Sequence, residues 1–165
     1  MLQYGFESFE KISNYLGVTE LAYDIVLLDI DSNEAFTEFQ MHEAEKNFFV
    51  TAFDNYSLKK GLEVIGQMDK EVNMTKVLFS KEMLDDEDDY LNFLSFYFSV
   101  EWTEEKIFFP YDQGANTVFI YNQRISQIRF RDFDQTYRDG FMMIANLIAP
   151  TLKGGELKKA LKKLL

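Results

Sequence analysis

One short stretch constrains the chain more than any other: Tyr23-Asp24-Ile25-Val26-Leu27-Leu28-Asp29-Ile30-Asp31. Four apolar residues in a row, Ile25 to Leu28, without polar alternation, are the pattern of a strand covered on both faces. That pattern belongs to parallel sheets lying between helices. The spacing therefore predicts a buried strand over 23–29. Asp29 and Asp31 then fall just past its carboxyl end, the side on which ligands gather in open α/β sheets.

The rest of the chain reads as further strand–helix units. Lys46-Asn47-Phe48-Phe49-Val50-Thr51-Ala52, residues 75–80 and Lys106-Ile107-Phe108-Phe109 before Pro110 carry strand patterns. Helical spacing runs over 6–16, with Gly17 as its stop, and over 57–68, with Leu58, Leu62, Ile65 and Met68 on one face. Helices are also expected over about 86–97, just past Asn116 and over 133–148, and 33–45 reads as a short helix or ordered loop. Alternating strands and helices give an α/β fold, a largely parallel sheet of about four strands flanked by helices. Residues 1–150 form one domain, and 151–165 a basic amphipathic C-terminal helix. A chain of 165 residues, 47% hydrophobic, with 17 Phe and 9 Tyr, has ample core material for one such domain.

Charge and composition exclude several function classes. The net charge is −11, although residues 151–165 hold five lysines against one acid, so the body is more acidic than the total. Such a surface repels phosphate backbones, which argues against direct nucleic-acid binding. There is no cysteine, hence no disulfide framework and no thiol nucleophile, and a reducing cytoplasm is the expected compartment. No apolar run approaches the ~20 residues needed to span a bilayer, and the first residues lack a signal-peptide pattern.

In order, these pieces resemble the carboxyl-terminal half of the MinD/ParA ATPases, including the pilus-assembly CpaE type. Tyr23 to Asp29 (YDIVLLD) resembles that family's Walker B strand. Ala44 to Thr51, followed by Ser57-Leu58, resembles the next strand and helix start. Lys76 to Ser80 matches the strand after it, Phe109-Pro110-Tyr111-Asp112 with Ala115-Asn116 matches a later strand end and helix, and Asp134 to Leu147 resembles the terminal helix. The match covers roughly residues 20–148. It implies a Rossmann-like P-loop NTPase fold, with Asp29, and with it Asp31, near a nucleotide and Asp29 near its magnesium.

The departures are equally specific. The family's Gly-rich phosphate loop lies well before Walker B, and none of the residues before Tyr23 form one. Gly61 to Gly66 has a similar spacing, but Gln67-Met68 replaces the Lys-Ser/Thr and the stretch lies inside an expected helix. The family's Asn-Arg is replaced by Phe79-Ser80-Lys81. Phosphoryl transfer depends on cationic donors around the γ-phosphate, so this chain alone is not expected to hydrolyse ATP. ATP and magnesium enter only where another chain or segment completes the site.

Other candidates have plain readings beside the functional ones. Asp29 and Asp31 also suit solvated acids at a strand end. The acid cluster Glu82, Asp85, Asp86, Glu87, Asp88, Asp89 lacks the spacing of a calcium loop and reads as a helix start or an electrostatic docking face. His42, the one histidine, reads as a bystander, and Trp102 as packing. In the tail, Leu157, Leu161 and Leu164 share one helical face, while Lys158, Lys159, Lys162 and Lys163 occupy the other. That form suits peripheral contact with anionic lipid at the inner face of the membrane, a protein partner, or docking on the body itself.

The expected function is a non-catalytic binding or assembly protein, acting through protein contacts in positioning, secretion or pilus-type assembly, with dimerisation open to it. The alternatives are one half of a split, active ATPase and an acidic mimic of nucleic acid.

Overall fold

The computed structural model describes residues 25–30, 41–52, 54–67, 71–80, 85–98, 100–110, 113–126 and 129–150, together with Asn14, Gly17, Ala35, Gly155 and Lys159. Its centre is a parallel sheet of three strands, β1 (Phe48–Ala52), β2 (Val72–Ser80) and β3 (Val100–Pro110), in that spatial order. Among the described residues, four helices have both ends in view: α1 (Asn55–Ile65), α2 (Asp85–Ser95), α3 (Gln113–Ile125) and α4 (Gln135–Ile148). The α/β class expected from the alternating pattern is the one observed.

Register follows from the apolar runs. Val50 stands opposite Val77, and Val77 opposite Ile107, so the branched residues of all three strands line up across the sheet. Between Met74↔Trp102 and Lys76↔Lys106 the pairing of β2 with β3 shifts by two residues, an irregularity on the β3 side.

Side chains alternate between two covered faces. On the first, Phe49, Met74 and Leu78 pack with Leu58 and Ile65 of α1 and Leu91 of α2. Two successive crossovers of the same hand place both helices on that face. On the second, Val77, Ile107 and Phe109 pack with Ala115 of α3, with Phe133, and with Tyr137 of α4. Leu78, Leu91 and Ile107 are wholly buried, each worth roughly 1.5–3 kcal/mol relative to exposure.

Two glycines set the distance between helix and sheet. A Cβ on Gly61 would stand 2.7 Å from the Phe49 ring, and one on Gly140 would stand 2.7 Å from the Phe109 ring. Gly61 therefore serves helix–sheet packing, while Gly66, just past α1, allows a close approach to Phe98, whose ring would stand 2.9 Å from a Cβ there. The start of α4 is equally well specified. Asp134 caps it by accepting the Tyr137 N–H at 2.9 Å, and the Tyr137 hydroxyl donates to the Pro110 carbonyl at 2.5 Å.

The structure corrects the expectation at the focal stretch. Ile25 to Ile30 carries no strand, and the sheet of the described residues has three strands instead of about four. Ile25 and Leu27 are exposed while Val26, Leu28 and Ile30 are half-buried. An apolar run has the side chains of a buried strand, but composition alone does not make a ladder, and this run joins none of the described strands. β3 is longer than expected, taking in Trp102. The N-terminal helix is described only at Asn14, which is helical, and at Gly17, whose φ of 66° and N–H bond to the Asn14 carbonyl form the expected stop.

Candidate functional site

At the carboxyl ends of β1 and β3, two of the described polar contacts build the fold. After β1, Asp54 accepts the Tyr56 N–H at 3.0 Å and starts α1. After β3, the first turn of α4 closes over Pro110 through Tyr137. Asp29 is exposed in the irregular run outside the sheet, so it does not stand at a strand end, and Asp31 lies outside the described residues. Among the described residues, no group of three His, Cys, Asp or Glu could hold a metal ion. His42 Nε2 lies 3.7 Å from Glu43, its sequence neighbour.

The first face of the sheet holds a feature that sequence reasoning missed. Lys76, in the central strand, is 4% exposed. Its Nζ donates to Asn92 Oδ1 of α2 at 2.5 Å and stands 5.2 Å from the centre of the Trp102 ring. Removing an ammonium from water costs several kcal/mol, which these two contacts offset. Trp102 Nε1 in turn donates to Ser95 Oγ of α2 at 2.6 Å, and the indole packs on Phe49. Lys106, opposite Lys76 on β3, lies over Phe108. The cluster clamps α2 to the sheet with directional bonds. The available signal was a lysine inside a strand flanked by apolar residues, a position that demands a partner.

Among the described residues, large apolar side chains are exposed in several places, including Phe119, Ile120 and Tyr121 of α3, the middle of β1 and the region of α2. Val50, in the middle of β1, is 62% exposed, although Phe49 and Thr51 beside it are buried. The cluster on the second face reaches Phe48 of β1 but does not take in Val50. Among the described residues, no strand pairs with the outer side of β1. Around α2, Tyr90 and Phe93 of the helix and Phe96 and Tyr97 in the turn after it are all exposed, Phe96 and Tyr97 in edge-to-face contact at 5.6 Å.

Of the tail residues, Gly155 and Lys159 are helical and exposed, and Leu157, Lys158, Leu161, Lys162, Lys163 and Leu164 lie outside the described residues. No helix among the described residues is long and apolar enough to cross a membrane. No protein-family model, curated protein or solved structure matches the chain.

Proposed function

We propose that this chain is a binding and assembly module that acts through protein contacts and is not catalytic alone. The reading keeps the resemblance to MinD/ParA/CpaE ATPases and the absence of their phosphate loop from the sequence. The observation that supports it is the open side of β1, where an exposed valine sits in the middle of an edge strand. An edge strand offers unpaired N–H and C=O groups to an added strand, and side chains standing next to them give the addition its specificity. The partner is thus a protein that supplies an extended segment and covers Val50, in a positioning, secretion or pilus-type assembly.

A second reading is favoured by Ile25 to Ile30. This run has strand composition and no ladder, as expected where the strand beside it belongs to another polypeptide. That polypeptide would bring the phosphate loop, and Asp29 would then serve the magnesium of a bound ATP.

Two measurements on the full chain separate the readings. Purification from its own host recovers a stoichiometric partner, which Val50→Asp loses while the unfolding midpoint stays within the equivalent of about 0.5 kcal/mol. Calorimetric titration with magnesium-ATP gives no saturable heat for the chain alone. Saturable binding that disappears in Asp29→Ala would overturn the module reading and install the ATPase one.

A further inference from the structure

We propose that a second copy of this chain occupies the open side of β1, its own β1 running antiparallel about a two-fold axis through Val50. The proposal rests on the reading of β1 as a site of protein contact and names the partner that covers it. Backbone geometry sets the register. Thr75 of β2 stands opposite Phe48 and donates its N–H to the Asn47 carbonyl at 2.9 Å. Backbone groups alternate sides along a strand, so Asn47, Phe49 and Thr51 turn their N–H and C=O toward β2. Phe48, Val50 and Ala52 turn theirs outward. Antiparallel copies can therefore meet only where outward residues face one another. An axis at Val50 uses all three, pairing Val50 with itself and Phe48 with Ala52 in both directions.

Side chains fit the same axis. Val50 is 62% exposed, with half-buried Phe48 and Ala52 on the same face of the sheet. Two valines directly opposite, flanked by Phe48–Ala52 pairs, make one apolar patch across the join. No charge or proline interrupts Phe48–Ala52. The first charges beyond the strand are Lys46 and Asp54, both exposed and each four residues from Val50. A two-fold at Val50 sets Lys46 of one copy opposite Asp54 of the other, and does so twice. Asp54 Oδ1 accepts the Tyr56 N–H, and a carboxylate takes several donors at once. A slip of two residues in either direction loses both charge pairs. Opposite charges placed evenly about one exposed valine are what a self-complementary edge requires.

The helices accept this arrangement. The axis stands perpendicular to the sheet, so the α1 helices of both copies lie on one face. Leu58 and Ile65 of α1 pack with Phe49 of β1 and with Met74 and Leu78 of β2, so α1 lies over these two strands. Across a join of strands ~4.8 Å apart, the second α1 stands roughly 10 Å from the first, a spacing at which helices pack.

The unmodified full chain provides the first test. Its weight-average mass in sedimentation should rise toward twice the monomer's as concentration increases. Within one chain, Lys46 and Asp54 are separated by roughly 25 Å at ~3.3 Å per residue, too far for a zero-length link. A carbodiimide-formed Lys46–Asp54 peptide therefore arises only between copies, and mass spectrometry of the dimer is expected to find it. Lys46→Glu and Asp54→Lys should each weaken self-association at least about tenfold, since each sets like charges face to face. A mixture of the two variants should associate as well as the natural chain. A chain that stays monomeric up to about 1 mM, a dimer without the Lys46–Asp54 link, or a mixture no better than its parts would each overturn the proposal. In a monomeric chain, Val50→Asp separates two failures. If it abolishes recovery of a different host protein, β1 remains a contact site and only the second copy is wrong. If it changes nothing, the contact reading falls as well.

Discussion

Gly140 and Phe109 form a pair in which a substitution should reverse its sign with its background. A methyl group added at Gly140 would lie 2.7 Å from Cε1 and Cζ of Phe109 and 3.3 Å from its Cδ1. The ring cannot retreat, since it stacks on Phe79 at 5.1 Å and meets Tyr137 and Phe141 at 5.3 and 5.2 Å. Overpacking of this kind costs about 1–3 kcal/mol, against a gain of about 1 kcal/mol from replacing glycine inside a helix. Gly140→Ala should therefore be neutral to destabilising by about 2 kcal/mol. Leucine has no atoms at the Cε1 and Cζ positions, so in a Phe109→Leu background the closest contacts vanish and only the helical gain remains. There the same substitution should stabilise by about 1 kcal/mol. The double-mutant cycle, read from urea midpoints at constant m-value, is expected to give a coupling of about 1–3 kcal/mol. In thermal melts each kcal/mol moves the midpoint by about 2–4 °C for a chain of this size. Additive effects would refute the idea that the missing Cβ sets the approach of α4 to the sheet.

Two further outcomes follow from the polar contacts. Asp134→Ala removes the cap of α4 and should lower stability by about 1 kcal/mol, with amide exchange accelerating first in residues 135–138. Lys76→Met should be neutral or stabilising in denaturant titration, because it removes a buried charge and keeps the volume, whereas Asn92→Ala should cost about 1.5–3 kcal/mol by taking an acceptor from that charge. The reverse order would mean that the ammonium adds net stability at this site.

Where the sequence carried both composition and a partner, it could be read correctly. β1 and the carboxyl-terminal half of β2 announce themselves through Phe48, Phe49, Val77 and Leu78, and α1 and α4 through helical spacing with a cap or a stop. Ile25 to Leu28 misled because hydrophobicity is local while a ladder is not, so the run looks the same with a neighbour or without one. The first half of β3 was hidden for the opposite reason. Glu101, Glu104 and Glu105 are exposed on an outer strand and lack the apolar run that marks its second half, and the register shift breaks the alternation around Trp102. The lysine clamp was illegible because Lys76, Asn92 and Trp102 are distant in sequence and meet only through the crossover. The edge of β1 could not be seen at all, since which strand is outermost is a property of the assembled sheet.

The irregular pairing in β3 has a consequence for how copies and partners can add. Its two-residue slip and its exposed glutamates spoil the regular spacing that an incoming strand would need, so one margin of the sheet is guarded. The margin at β1 is short, regular and carries Val50. A body that can be extended on one side only does not stack end to end. Were a second copy to add at β1, addition would stop after a single step, in a closed pair instead of a growing fibre.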